Sequence, residues 1–229
     1  MQYRTLLTSL VFVFALCLFS ANAFAEGTDE GGIDLRLGIG SEFLWNSYDI
    51  TMSGGGITVN ESTDNIHYNG VMGKIAIGYR WNFGGIYFEQ DLGGLWLDND
   101  EARSKDADFL GGSFIVGRFI IPATSALQFE IGAGLGVMYG ADKNPSDSSY
   151  RPSLIVDGEG NPSRAFAVKI ALGLSYYFTP IFGLGIYCDY NYAFKLYESS
   201  ETISGITVNA DVTAHYHVLS PGLQLLFKF

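Results

Sequence analysis

Cysteine is almost absent: the 229 residues contain two. Basic residues are also scarce, with 13 Lys and Arg against 24 Asp and Glu and a net charge of -11, which excludes nucleic acid as a partner. Beyond residue 25 no apolar run reaches the roughly 18 residues that a membrane-spanning helix needs. Glycine is plentiful, at 29 residues, and a helical protein of this size would not tolerate so much of it inside its elements.

The one long apolar run lies at the start. Arg4 precedes LLTSLVFVFALCLFS, and the run ends in ANAFA before Glu26, which predicts a secretory leader over 1–25 cleaved after Ala25 and one mature domain over 26–229. Cys17 falls inside the leader and follows Leu16 rather than a small residue, so it does not read as a lipid-attachment site. Cys188 is then alone in the mature chain, with no partner for an intramolecular disulfide. On the apolar parity of its segment it reads as a small buried hydrophobe.

What the mature sequence does have is alternation. Ile33, Leu35, Leu37, Ile39, Phe43 and Trp45 interleave with Asp34, Arg36, Gly38, Gly40 and Glu42. The same step of two recurs around Ile75–Phe83, Ile86–Leu97, Leu127–Tyr139, Phe166–Phe178 and Leu184–Leu196, and again from about Val212 to Phe229. The segment 109–121 is apolar on both parities. Placing Arg118 inward turns Phe109, Ile115, Phe119 and Ile121 outward. In all, eight strands are expected. Tight turns at NFGG (82–85), PATS (122–125) and TPIF (179–182) alternate with long polar connections at 46–70, 98–107, 140–164 and 198–211. Short turns at one end and long loops at the other are the pattern of a transmembrane β-barrel.

A soluble sandwich or lipocalin-like barrel would show alternation too, with its charges facing water. Three features favour the inside-out arrangement: strands longer than the usual five or six residues, aromatics near strand ends, and a second face rich in glycine. An exterior of GAGLG would be poorly solvated, whereas a narrow interior needs small residues to make room for a few large charged ones. Trp45, Trp81, Trp96, Tyr139, Tyr176, Tyr190 and Tyr192 fall where amphipathic rings meet headgroups.

The chain finishes on GLQLLFKF, with Gly222 followed by Leu223, Leu225, Phe227 and Phe229 at two-residue spacing. In a bilayer a sheet spans only if it closes, so the last strand must pair with the first. This ending resembles the carboxy-terminal signal by which bacterial outer-membrane barrels address their assembly machinery, carried here by Gly222, Leu225, Phe227 and Phe229. From about residue 30 to 229 the pattern resembles the small outer-membrane barrels of the OmpA transmembrane-domain and OmpX type. That resemblance implies an all-β, eight-stranded antiparallel up-and-down barrel in the bacterial outer membrane, with periplasmic termini. Two departures stand out: no peptidoglycan-binding domain follows the barrel, and the loops 46–70 and 140–164 are long. Barrels of the OmpW type, associated with passage of small apolar molecules, are the competing resemblance.

The inward parity collects Arg36, Glu42, Lys74, Arg80, Glu89, Asp91, Arg118, Glu130, Lys169, Asp189 and Lys195 as a lumen charge network. Its six bases and five acids predict a sealed, salt-bridged plug, or else pairs that exchange partners to open a narrow path. Acids in the loops, such as Asp98, Asp100, Glu101, Asp157 and Glu159, read as a solvated surface, with a divalent-cation bridge to lipopolysaccharide as the alternative. LDNDEARSKD and VDGEGN lack a complete calcium-loop spacing, so no metal ligand and no cofactor is assigned.

GITVN occurs at 56–60 and again at 205–209, in loops flanking the seam of first and last strands, and predicts a wall that continues beyond the membrane. Free edges there would accept a partner strand. His215 and His217 share one side of a strand, but no serine stands at a spacing that makes it a nucleophile, so no catalytic residue is assigned. Pro221 predicts a bulge, because it cannot donate to a closed ladder. The expected role is a non-enzymatic surface barrel serving envelope integrity and recognition through its loops. A narrow pore ranks second and a lipid-modifying enzyme third. The expected partners are outer-membrane lipid and lipopolysaccharide, the barrel-assembly machinery and an extracellular protein ligand, for a monomer.

Overall fold

The computed structural model describes residues 31–81, 83–97, 108–124, 126–141, 164–203 and 206–229. The leader and the acidic loop residues at 98–107 and 142–163 lie outside them. Eight strands follow in chain order: β1 (Gly32–Gly54), β2 (Ile57–Trp81), β3 (Gly84–Leu97), β4 (Asp108–Pro122), β5 (Leu127–Ala141), β6 (Arg164–Tyr177), β7 (Phe182–Ile203) and β8 (Ile206–Lys228). Each pairs antiparallel with its neighbours, and β1 closes on β8 into a barrel. The ending behaves as the closure argument requires, with Asp34 opposite Lys228 and the Phe229 N–H donating to the Ile33 carbonyl at 2.8 Å.

The end carrying the short turns and the closing residues of β8 is called here the terminal end. Two of its turns use one device: the Thr124 hydroxyl accepts from the Leu127 N–H at 2.9 Å, and the Thr179 hydroxyl accepts from the Phe182 N–H at 2.9 Å. The opposite, hairpin end differs from the loops expected there. Residues 46–70, 198–203 and 206–211 are not loops; they belong to two long hairpins, and β1, β2, β7 and β8 run to 22–25 residues where β3 to β6 have 14 or 15. Gly55 and Gly56 turn the first hairpin with φ of 58° and 85°, conformations that disfavour a side chain. Both GITVN copies supply hairpin residues, so the wall does continue past the neighbouring strands. At a rise of about 3.3 Å per residue and a barrel-like tilt, the excess length projects by roughly 20 Å.

Pro221 does not mark a bulge. Pairing of β1 with β8 skips Ser41 and Glu42 opposite Ser220 and Pro221, and resumes in the same register from Phe43 and Leu219. The missing N–H costs a ladder bond without inserting a residue. The register shift lies instead in the β1–β2 pairing, between Asn46 and Tyr48, where β2 carries one residue more than β1, near the start of the projecting part.

The exterior is the apolar surface. Ile39, Ile86, Ile115, Ile131, Leu135, Ile170 and Leu223 are each at least half exposed, while Arg36, Lys74, Glu130 and Lys169 are buried in the lumen. Such a surface is stable only in hydrocarbon, where a charge at mid-depth would cost about 2–4 kcal/mol. β4 takes the facing deduced from Arg118, with Phe109, Ile115, Phe119 and Ile121 outward and Leu110, Phe114, Val116 and Ile120 inward. Cys188 faces outward between Leu172 and Pro221 and is half-buried in the wall rather than in a core.

Candidate functional site: the filled lumen

Inward positions of all eight strands meet in a cylinder too narrow to leave empty. Toward the terminal end they are ionic. Arg36 binds Glu130 through Nη1 and Asp34 through Nη2 at 2.8 Å; the same Nη2 donates to the Tyr87 hydroxyl, which donates on to Asp34 at 2.8 Å. Arg118 holds Glu89 Oε1 through Nε at 3.0 Å and through Nη2 at 2.5 Å. Lys169 touches three carboxylates, Asp91 at 2.5 Å, Glu89 at 3.2 Å and Asp189 at 3.3 Å. Lys74 joins Asp189 and lies 3.4 Å from Glu89. The Ser175 hydroxyl donates to Glu130 at 3.0 Å. Nearer the mouth, Arg80 donates to the Tyr177 hydroxyl at 2.7 Å and to Gln128, beside an open cavity of about 380 Å³.

Aromatic rings fill the space between these ions. Arg36 lies 4.4 Å from the centre of the Tyr87 ring, Lys74 4.4 Å from Tyr187, and Lys169 4.2 Å from Phe114. Glycines make room for the rings, where the sequence led to the expectation of room for large charged side chains. A Cβ at Gly78 would stand 2.6 Å from Tyr87, and one at Gly40 would stand 2.9 Å from the Tyr187 hydroxyl.

Ten of the eleven residues assigned to the lumen network are buried there: Arg36, Glu42, Lys74, Arg80, Glu89, Asp91, Arg118, Glu130, Lys169 and Asp189. Two of the eleven need comment. Lys195 stands apart from them, half-buried toward the hairpin end opposite Ala214. Glu42 is buried with the others, but it takes part in no ion pair within the network. Asp34 belongs to the network and was left out of the assignment, although it shares the parity of Arg36 two residues away. Among the described residues the expected balance is therefore reversed: six acids are buried in the lumen, with Asp34 added, and five bases, with Lys195 removed.

Toward the hairpin end the lumen is apolar, which was not expected. Leu44, Tyr68, Leu95, Leu110, Phe114, Met138, Tyr216 and Val218 pack with the alanines Ala165, Ala167, Ala193 and Ala214 into one buried cluster. The signal was present where both parities turn apolar, at Phe43-Leu44-Trp45 and across 109–121. Alternation alone could not say which apolar set faced inward.

On the outer wall the histidines are flanked by tyrosines. The Tyr190 hydroxyl lies 2.7 Å from His217 Nδ1, and that of Tyr192 lies 2.9 Å from His215 Nδ1. Trp45 stands across the strands between His217 and His67. Tyr190 and Tyr192 sit midway along β7, so this belt marks the level at which the hydrocarbon-facing wall gives way to the projecting sheet.

Of the terminal signal residues, Leu225 faces outward and Phe227 meets Phe182, with ring centres 5.5 Å apart. Gly222 has a packing role of its own, since a Cβ there would fall 2.5 Å from the Tyr187 ring.

No family model and no curated protein matches the chain. Among solved structures it is similar to Neisserial surface protein A, with 16% identity, 82% of this chain and 97% of that one covered, and a TM-score of 0.43. It is similar to the outer membrane protein OprG from Pseudomonas aeruginosa, with 12% identity, 86% and 97% covered, and a TM-score of 0.45. Ail, the attachment invasion locus protein of Yersinia pestis, matches at 12% identity over 79% of this chain and 98% of that one, with a TM-score of 0.28. None of these likenesses singles out the OmpA or OmpX type.

Proposed function

We propose that the chain is a non-enzymatic barrel of the bacterial outer membrane, with its termini in the periplasm, that presents the projecting β7-β8-β1-β2 sheet as a surface for recognising an extracellular protein. The observation that carries this reading is the length of those four strands, which extend well beyond β3 to β6. The long hairpins add nothing to closing the barrel, and they hold exposed Ile57 and Val59 beside polar Thr58, Asn60 and Glu61. Gly222, Leu225, Phe227 and Phe229 are the residues we assign to recognition by the barrel-assembly machinery.

A filled lumen supports a structural role over a conducting one. Exchange of partners among the salt bridges would not open a path, because the apolar cluster lies in series with them. The test shortens both hairpins, replacing 48–65 and 197–211 with tight turns, and compares binding of candidate surface proteins to the shortened and full-length barrels. Loss of binding with retention of the barrel's heat-resistant migration is expected. Stable single-channel openings of the full-length protein in a planar bilayer would overturn the sealed-lumen reading. A change in lipid A mass that follows the protein would overturn the non-enzymatic one.

A further inference from the structure

Among the described residues the lumen buries five bases, and four of them direct their hydrogen bonds to carboxylates: Arg36 to Glu130 and Asp34, Lys74 to Asp189, Arg118 to Glu89, and Lys169 to Asp91 and Glu89. Arg80 does not. Its hydrogen bonds run to neutral oxygens, those of the Tyr177 hydroxyl and the Gln128 amide. Its ion-pair partner among the described residues is Asp34 at 3.9 Å, a carboxylate that Arg36 and the Tyr87 hydroxyl already hold at 2.8 Å each. Arg80 is nonetheless 5% exposed, and a buried charge is stable only when an opposite one is near.

Arg80 lines the open cavity of about 380 Å³ at the terminal mouth, and the polar groups that line it with Arg80 have hydrogens to donate. Gln128 gives its oxygen to Arg80, which leaves both hydrogens of its Nε2. The Tyr177 hydroxyl accepts from Arg80, and the Thr179 hydroxyl accepts from the N–H groups of Ile181 and Phe182, so each keeps its own proton for another acceptor. Lys228 adds a second positive charge, and among the described residues no Asp or Glu lines the cavity. The Tyr177 ring lies 5.3 Å from the guanidinium, so Arg80 is fixed before a ligand arrives. Ala126, Phe178 and Pro180 complete the wall with apolar surface.

We propose that the mouth cavity binds a small organic carboxylate carrying a short apolar group, with Arg80 and Lys228 supplying charge and Gln128, Tyr177 and Thr179 supplying donors. Water in the cavity accepts the same hydrogen bonds but brings no charge to Arg80. A carboxylate does both, and hydrogen bonds between ionised partners are the strong ones. A doubly charged phosphate fits less well, because Asp34 stands beside Arg80 and offsets part of its field. The apolar part of the wall favours a ligand with a methyl-sized side group over a bare inorganic ion. The cavity lies at the end of the barrel away from the hairpins, so its occupancy is independent of what the projecting sheet recognises.

The experiment titrates N-acetylalanine into the folded barrel at fixed ionic strength and pH, in a non-ionic detergent so that no headgroup charge competes, and follows backbone amide NMR shifts. Saturable shifts at Ala126, Gln128, Tyr177 and Thr179 are expected. The neutral amide of N-acetylalanine should produce none, and inorganic phosphate should bind more weakly. Arg80→Met should lower the affinity about tenfold or more, as the loss of hydrogen bonds to a charged group implies, while Arg80→Lys, which keeps the charge, should retain part of it. Tyr177→Phe keeps the ring, removes one hydroxyl and should weaken binding about fivefold, which provides a second variant should Arg80→Met fail to fold. Shifts that never saturate, equal responses to the acid and its amide, tighter binding of phosphate, or an affinity unchanged in the variants that fold would each overturn the proposal.

Discussion

At the terminal end of the lumen, buried Arg, Lys, Asp and Glu side chains hold the cylinder closed through shared ion pairs; at the hairpin end Leu44, Leu95, Leu110 and Met138 close it by apolar packing. The two regions fail differently. In the ionic half a side chain is stable only while its partners are present, because a charge left unpaired cannot reach water. In the apolar half any side chain of the right volume serves, and the penalty is set by the cavity left behind. Phe114 joins them, inside the apolar cluster yet 4.2 Å from the Lys169 ammonium.

The largest effect is expected from Glu89→Ala, which strips a carboxylate from Arg118, Lys74 and Lys169 at once. It should lower unfolding stability in detergent by about 3–5 kcal/mol. Adding Arg118→Met should recover part of that loss, since it removes the cation that Glu89 holds through two hydrogen bonds. If the double variant is as unstable as an additive sum requires, the halves do not differ in the way described. Leu44→Ala in the apolar half should cost about 2–5 kcal/mol, with the loss scaling with the cavity and no single second-site charge change restoring it.

Smaller effects sharpen the contrast between lumen and wall. Gly112→Ala pushes a methyl group onto the Phe114 ring and should cost about 1–3 kcal/mol. Gly117→Ala, where the nearest atom is 3.9 Å away, should stay within about 0.5 kcal/mol of the parent. Equal losses from the two would mean that the interior glycines do not serve to seat the rings. At the outer wall His215→Ala removes a contact to Asp49 at 3.4 Å and the hydrogen bond with Tyr192, a loss of about 1 kcal/mol.

Strand number, the facing of the strands outside β4 and residues 212–220, and ten of the eleven assigned interior charges were legible in the sequence. A period of two combined with a hydrocarbon exterior forces them, because slipping by one residue would turn every charge outward. Legibility failed where that contrast vanished. Around Leu44, in the hairpin-end arms and along β4 both parities are apolar or both are polar, so neither the apolar plug nor the length of the hairpins could be read. Asp34 was readable by parity, while Lys195, on the same parity as Asp189, lies too far toward the hairpin end to join the network.

By itself, then, the sequence determined which residues face lipid and which face inward, since each strand carries that choice in its own alternation. Only the closed structure decided which interior residues meet. Arg36 and Glu130 are 94 positions apart and Lys74 and Asp189 are 115 apart, and their contact depends on the stagger of all the strands between them. That stagger is a property of the whole cylinder, because closure fixes register, tilt and radius together and no single strand encodes them.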